Sequence, residues 1–378
     1  MLLLCYAIHT LLQVTRNNRI KMKIGILSMQ EVKNYGSFLQ AFSLKSNIEA
    51  LGHQCEFVNI VPGEQLGDYK ISKFHKIHLL VERLWGLDFA KRFKYIYQFQ
   101  SRFSKEFLPE LGVKLGITTD KFDTVVIGSD EVFNCAQKTW FGFSKQLFGE
   151  GLNANKVITY AASFGATTVD KLEKLGIKDT VAGLLKKLNK ISVRDANSVS
   201  VVKNLTGTTP DKNVDPVLIY DYTKHMPQSV DLKDYMIVYT YPGRITDKNE
   251  INAIRAYAKS KGLQLVSIGH YFPWCDKTIV PHPFEVLAYF KHATCIVTDT
   301  FHGSVFSIKF NKQFCTIVRG MNSNKLTHLL EQFGLSARIA NDVSKLPSIM
   351  ETKIDYAPVN AKIAEEKERS IAYLKENL

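Results

Sequence analysis

One short run, Asp299-Thr300-Phe301-His302-Gly303-Ser304, puts a carboxylate, an imidazole and two hydroxyls directly after the apolar segment 294–298. A histidine in such a turn can move a proton near neutral pH. Val305 with Ile308, and Phe306 with Phe310, recur at helical spacing and predict a helix over 303–310, followed by a strand over 314–318. A strand handing over to a helix is where open α/β sheets hold ligands, and the first N–H groups of the helix suit an anion. Taken alone, the motif reads more readily as a capping histidine with no chemical role. What counts against that is the company it keeps. Asn34-Tyr35-Gly36, Gly128-Ser129-Asp130 with Asn134 beyond, Ser163-Phe164-Gly165, Arg194-Asp195, Gly243-Arg244 and Gly269-His270 also each follow an apolar run. Each has an ordinary reading as a turn, a helix cap or an ion pair. At the carboxyl ends of parallel strands in two facing domains, they would instead converge on one cleft with a mobile proton and the fixed charges of Arg194 and Arg244.

The elements that must position these residues alternate strand, loop and helix. A strand over 23–28, a helix over 37–51 closed by Gly52 and a strand over 57–61 open the chain. Strands follow over 124–127, 157–161, 190–193 and 214–220, with a long mixed-charge helix over about 169–188. Residues 221–232 are polar, contain Pro227 and read as a linker. The pattern then restarts with a strand over 235–240. The next helix has Asp247 at its N-cap, Glu250 in its first turn and Gly262 beyond its end. A strand over 264–268, helices over 284–290 and 327–333 and a charged terminal helix follow. This predicts an α/β protein with two Rossmann-like domains facing across a cleft, over 22–221 and 233–345, joined by 222–232 and followed by a helix over 357–378.

Hydrophobic residues make up 45% of the 378-residue chain, enough to bury the cores of two domains. The formal net charge of +13 favours an anionic partner such as a phosphorylated small molecule or a lipid headgroup. Nucleic acid would also answer to the charge, but no recognisable nucleic-acid module accompanies it, so none is expected. The six cysteines show no CxxC pair, and Cys295 and Cys315 sit in apolar strands, which suits a reducing compartment. Residues 1–21 are expected to be an upstream start or a disordered extension, because no positive charge precedes the apolar run and no small-residue cleavage site follows it. A weak membrane anchor is the alternative there. Residues 70–105 interleave Lys and Arg with aromatics. They read either as a helical insertion whose rings pack inward, or as a surface for an anionic membrane.

In one order the chain carries NYGSFLQAFSL (34–44), FDTVVIGSDEVFN (122–134), YAASFG (160–165), ISVRD (191–195), VDPVL (214–218) and VTDTFHGSVFSIKFNKQF (297–314). This set resembles the polysaccharide pyruvyl transferase family over about 22–335. The resemblance implies a GT-B-like pair of domains and transfer of pyruvate from phosphoenolpyruvate to a sugar, as a ketal across two hydroxyls. It points to capsule or exopolysaccharide synthesis for the cell envelope, in the cytoplasm or peripherally at the inner face of the membrane. The acceptor would be a sugar or a lipid-linked oligosaccharide. No metal or cofactor is demanded beyond the donor substrate.

His302 occupies what resembles the family's histidine position and would be the acid and base. Arg194, in the SVRD match, would take the donor's carboxylate or phosphate, with Arg244 as second choice and Gly303 and Ser304 adding donors. Some family members carry an arginine two residues before the histidine; here Thr300 stands there, and Arg319 or Arg244 would supply the charge. Asn34, Tyr35, Gly36, Ser129, Asp130, Asn134, His270 and Thr300 are expected at the substrate. A glycosyltransferase using a nucleotide sugar and a non-catalytic glycan-binding protein are the competing expectations.

Overall fold

The computed structural model describes residues 21–66, 88–114, 116, 118–137, 139–320 and 323–378. The expected extension, apart from residue 21, and the first part of the basic-aromatic segment lie outside these residues. Short apolar runs become two six-stranded sheets, each parallel throughout. The first takes β1 (Lys23–Leu27), β2 (Gln54–Phe57), β3 (Phe122–Asp130), β4 (Ala154–Ala162), β5 (Ser192–Val193) and β6 (Asp211–Lys212), in the order β2-β1-β3-β4-β5-β6. The second takes β7 (Tyr235–Tyr239), β8 (Gln264–Ile268), β9 (Lys277–Ile279), β10 (Cys295–Thr298), β11 (Gln313–Ile317) and β12 (Ile339–Ala340), in the order β12-β11-β10-β7-β8-β9. Parallel strands are covered by helices on both faces, which is why β7 and β10 are buried at every position.

The strand order reverses between β1 and β3 in the first sheet and between β7 and β10 in the second. Those two switch points open crevices at the strands' carboxyl ends. One lies beside Asn34–Gly36 and Asp130, the other beside Tyr241–Arg244 and Asp299–His302. The two halves meet over apolar surface. Phe284 of the second packs edge-on against Phe38 and Phe42 of the first, with ring centroids 5.8 and 4.8 Å apart. The terminal helix Ala357–Asn377 returns to the first sheet, where the Tyr373 hydroxyl donates to the Thr159 carbonyl at 2.8 Å.

Several local expectations are corrected. The segment 214–220 is not a strand: Pro216–Ile219 forms one helical turn. Pro216 suits a first turn whose N–H needs no partner, and the Asp215 carboxylate caps it by accepting from the Val217 N–H at 3.0 Å. The long helix expected over 169–188 is two, Val169–Lys174 and Lys178–Leu185, parted at Gly176 with φ +67. β2 ends at Phe57, where an expected strand was to begin. Residues 222–232 hold no helix or strand, yet Tyr222 is buried and its hydroxyl donates to the Leu39 carbonyl at 3.0 Å. That segment is pinned to the first domain. Among the helices that start earlier than their apolar spacing suggests are Tyr35–Glu49 and Phe301–Lys309. Asn34 and Thr300 cap them and so draw the first turns forward.

Candidate active site

The two early helix starts build the site. After β1, the Asn34 side chain accepts from the Gly36 N–H at 2.7 Å. Its amide nitrogen donates across the domain boundary to the Tyr241 hydroxyl. After β10, the Thr300 hydroxyl accepts from the Gly303 N–H at 2.9 Å. Gly36 and His302 thus become the second residues of their helices, one in each domain, and they face each other. A β-carbon on Gly36 would overlap the His302 ring. Two helix N-termini therefore converge, each carrying partial positive charge.

His302 is 5% exposed, and its Nε2 lies 3.4 Å from Oδ2 of Asp215. That is an ion-pair distance, and Nε2 makes no aligned hydrogen bond. The same oxygen accepts from Nη1 of Arg194 at 2.8 Å. Arg194 is also 5% exposed; its Nη2 reaches Oδ1 of Asp130 at 3.4 Å, and its guanidinium lies over the Phe301 ring, 3.9 Å from the centroid. Nε of Arg194 is buried without a hydrogen bond. Burial pushes the Asp215 carboxyl up, but His302 and Arg194 more than offset it and hold the group below the ordinary range. Asp215 is therefore an ionised carboxylate shared by an imidazole and a guanidinium. Asp130 ends β3 in the left-handed region, φ 75, and accepts from the Ser37 hydroxyl at 3.4 Å.

A second group of charges sits one turn away. Arg244 donates from Nη1 to the Asp299 carbonyl at 3.2 Å, stands 3.8 Å from the Asp299 carboxylate and lies over the Tyr241 ring. Arg319 donates to the Arg244 carbonyl and pairs with Glu250 and, at 3.9 Å, with Asp299. Asp247 caps its helix through the N–H groups of Asn249 and Glu250, while the Glu250 carboxylate turns to Arg319. Both arginine side chains are 33% exposed, against 4% for that of Arg194. Burial raises the Asp299 carboxyl above its ordinary range despite both arginines.

The remaining expected residues divide. Tyr35 and His270 stand in an aromatic wall with Phe99: ring centroids are 5.2 Å apart for Tyr35–Phe99 and 5.7 Å for Phe99–His270. The Tyr35 hydroxyl donates to the Pro281 carbonyl at 2.9 Å, and burial pushes His270 down to about 4, so it stays neutral. Four others are turned inward. Ser129 donates to Gln40 at 2.6 Å, and Asn134 binds Glu131 and Thr167. The Thr300 hydroxyl is spent on its own cap, and Ser304 bonds Thr316 at 3.0 Å. The Gly303 N–H and the Ser304 hydroxyl, expected at phosphate, have partners inside the protein, because the helix begins at Phe301. Arg194, expected to bind an anion directly, is engaged by Asp215 and Asp130. Asp215 itself was not among the expected site residues, although it lies in the VDPVL motif. Glu131, beside Asp130, pairs with Lys325 across the domain boundary; burial would raise its carboxyl, but the Lys325 charge holds it down at about 2.

The family model described as polysaccharide pyruvyl transferase matches residues 34–320. No curated protein matches the chain. Among solved structures, the glycotransferase of kitacinnamycin aligns with a TM-score of 0.51 at 9% identity, over 95% of this chain and 100% of that one. UDP-GlcNAc 2-epimerase of Methanocaldococcus jannaschii aligns with a TM-score of 0.47 at 13% identity, over 93% of this chain and 100% of that one. At such identities the first likeness is one of fold, two Rossmann-like domains in a GT-B-like pair.

Proposed function

The chain belongs to the polysaccharide pyruvyl transferase family, and from that premise we propose that it moves pyruvate from phosphoenolpyruvate onto two hydroxyls of a sugar in a surface-polysaccharide precursor. Family membership makes it a transferase of pyruvate to polysaccharide; the donor, the ketal and the roles below are our reading. The observation that carries it is the cluster of His302, Asp215 and Arg194. An imidazole and a guanidinium share one buried carboxylate where two helix N-termini meet, and Nε of Arg194 is left without a hydrogen bond. Buried ionisable groups gathered in a cleft between two domains suit a site for acid–base chemistry.

In this scheme His302, as imidazolium, gives a proton to the methylene carbon of phosphoenolpyruvate, and positive charge develops on C2. The first sugar hydroxyl attacks C2 and its proton returns to His302. The C2–O bond to phosphate then breaks, with the proton passing from His302 to the departing phosphate. The second hydroxyl closes the ketal and restores the imidazolium. Two protons leave the hydroxyls, one ends on carbon and one on phosphate, so the histidine finishes as it began. Ionised Asp215 stabilises the imidazolium in each charged interval. Arg244 and Arg319 receive the donor anion, the converging N-termini favour its negative charge, and Arg194 keeps Asp215 ionised.

Because His302 and Arg194 are nearly enclosed, substrates need the Asn34–Tyr241 and Glu131–Lys325 contacts between the domains to part. The reaction belongs in the cytoplasm, where phosphoenolpyruvate is made. The test is to incubate the protein with phosphoenolpyruvate or a UDP-sugar, together with a panel of sugar acceptors, and follow phosphate and UDP. Phosphate release that depends on acceptor is expected; UDP release without phosphate would overturn the reading in favour of glycosyl transfer.

A further inference from the structure

The helix Phe89–Arg102 carries two different faces. On one, Tyr95 stacks on Tyr271 of the second domain at 5.6 Å, Phe99 packs between Tyr35 and His270, and Arg102 donates to the Val280 carbonyl at 2.5 Å. On the other, Phe89, Phe93 and Tyr97 recur every fourth residue and stack in a ladder, with centroids 6.2 and 6.4 Å apart. Phe93 is 60% exposed and Tyr97 62%. Apolar surface left open in one contiguous patch on a folded protein points to an interaction site.

Its charge says for what. Lys91, Arg92 and Lys94 are exposed around the ladder, and the helix contains no acidic residue. Among the described residues, the acids flanking the helix in sequence are engaged: Asp88 accepts from the Tyr271 hydroxyl at 2.8 Å, and Glu106 pairs with Arg102 at 2.9 Å. Aromatic rings flanked by cations on a helix lying flat suit the headgroup region of an anionic bilayer, where rings sit at the interface and cations meet lipid phosphates.

We propose that this helix docks the protein on an anionic lipid surface through Phe93 and Tyr97, with Lys91, Arg92 and Lys94 against the headgroups. Since its inner face walls the cleft, the bilayer then lies about one helix diameter, roughly 10 Å, from Tyr35 and His270. A sugar carried on a membrane lipid would be presented there. This last consequence rests on the transfer reading, whereas docking does not.

Co-sedimentation of the full chain with vesicles of phosphatidylcholine, with and without phosphatidylglycerol, tests docking without any turnover. Binding is expected only to the anionic vesicles, with release at high salt. Phe93→Ser combined with Tyr97→Ser, and separately Lys91→Glu with Arg92→Glu and Lys94→Glu, should each weaken binding roughly tenfold or more while leaving thermal unfolding unchanged. Absence of binding at low salt, equal binding to neutral vesicles, or unchanged binding by the aromatic variant would overturn the proposal. A wild-type dimer that the aromatic variant converts to monomer, with no vesicle binding, would also overturn it and assign the ladder to a protein interface.

Discussion

Gly36 and His302 meet with no room for a β-carbon between them, although they belong to different domains and different sheets. Each is the second residue of a helix that starts at a topological switch point. Gly36 is not in the left-handed region, so the glycine is needed here for close approach alone. The contact sets one edge of the imidazole, and Asp215 sets the other.

Gly36→Ala should therefore disable the enzyme without unfolding it. The new methyl must push the His302 ring aside, and if His302 is the proposed acid and base, its misplacement by about 1 Å costs on the order of 10²-fold. Acceptor-dependent phosphate release measures the loss. Circular dichroism should show the fold retained, with a stability cost of about 1–3 kcal/mol from overpacking.

Replacing His302 by Ala removes the proposed acid and base while leaving Arg244 and Arg319 in place. The expected result is a turnover loss of roughly 10²–10⁴-fold, the usual size of a general acid–base contribution. Calorimetric binding of phosphoenolpyruvate should survive. Unchanged turnover would sink the assignment of His302.

Asp215→Asn keeps the shape but removes the charge that Arg194 and His302 share. Leaving a buried guanidinium poorly compensated costs about 3 kcal/mol, read as a lower urea midpoint. Turnover should fall while the KM for phosphoenolpyruvate changes little, because Asp215 acts through His302. A large KM change at constant turnover would instead make Asp215 part of the donor site.

The Glu131–Lys325 pair predicts a pH dependence. The Glu131 carboxyl is held down to about 2, against 4.5 for an ordinary one, so the folded state favours its ionised form. Its contribution is present in full above about pH 5 and is lost as pH falls towards 2. Glu131→Gln should cost about 2–3 kcal/mol at pH 7, and that difference should shrink at pH 3. Urea unfolding of both proteins at the two pH values measures it; a constant difference would show that the ion pair is not its source.

What the amino-acid sequence determined by itself was whatever depends on near neighbours. Apolar runs such as TVVI and CIVT, bounded by polar turns, are enough to specify buried parallel strands, because burial on both faces demands unbroken apolar character. The alternation with helices then restricts the chain to two α/β halves, and the residues after each strand are identifiable from position alone. Apolar spacing puts the helix starts at Tyr35 and Phe301 two residues late, since it marks the packed face while a cap such as Asn34 or Thr300 marks the beginning. VDPVLIY reads as a strand for the same reason, and that hid Asp215.

Tertiary structure decided the partners. Arg194 meets Asp130 and Asp215 across 64 and 21 residues of chain, and His302 meets Gly36 from the other domain. Which cation is buried against carboxylates and which stays part-exposed follows from distances of a few ångströms, because charge interactions inside a protein depend on separation and burial and leave no periodic trace in sequence. The exposed ladder of Phe93 and Tyr97 is similar: composition marks residues 70–105 as basic and aromatic, but only the folded helix shows which rings pack against the second domain and which face outward.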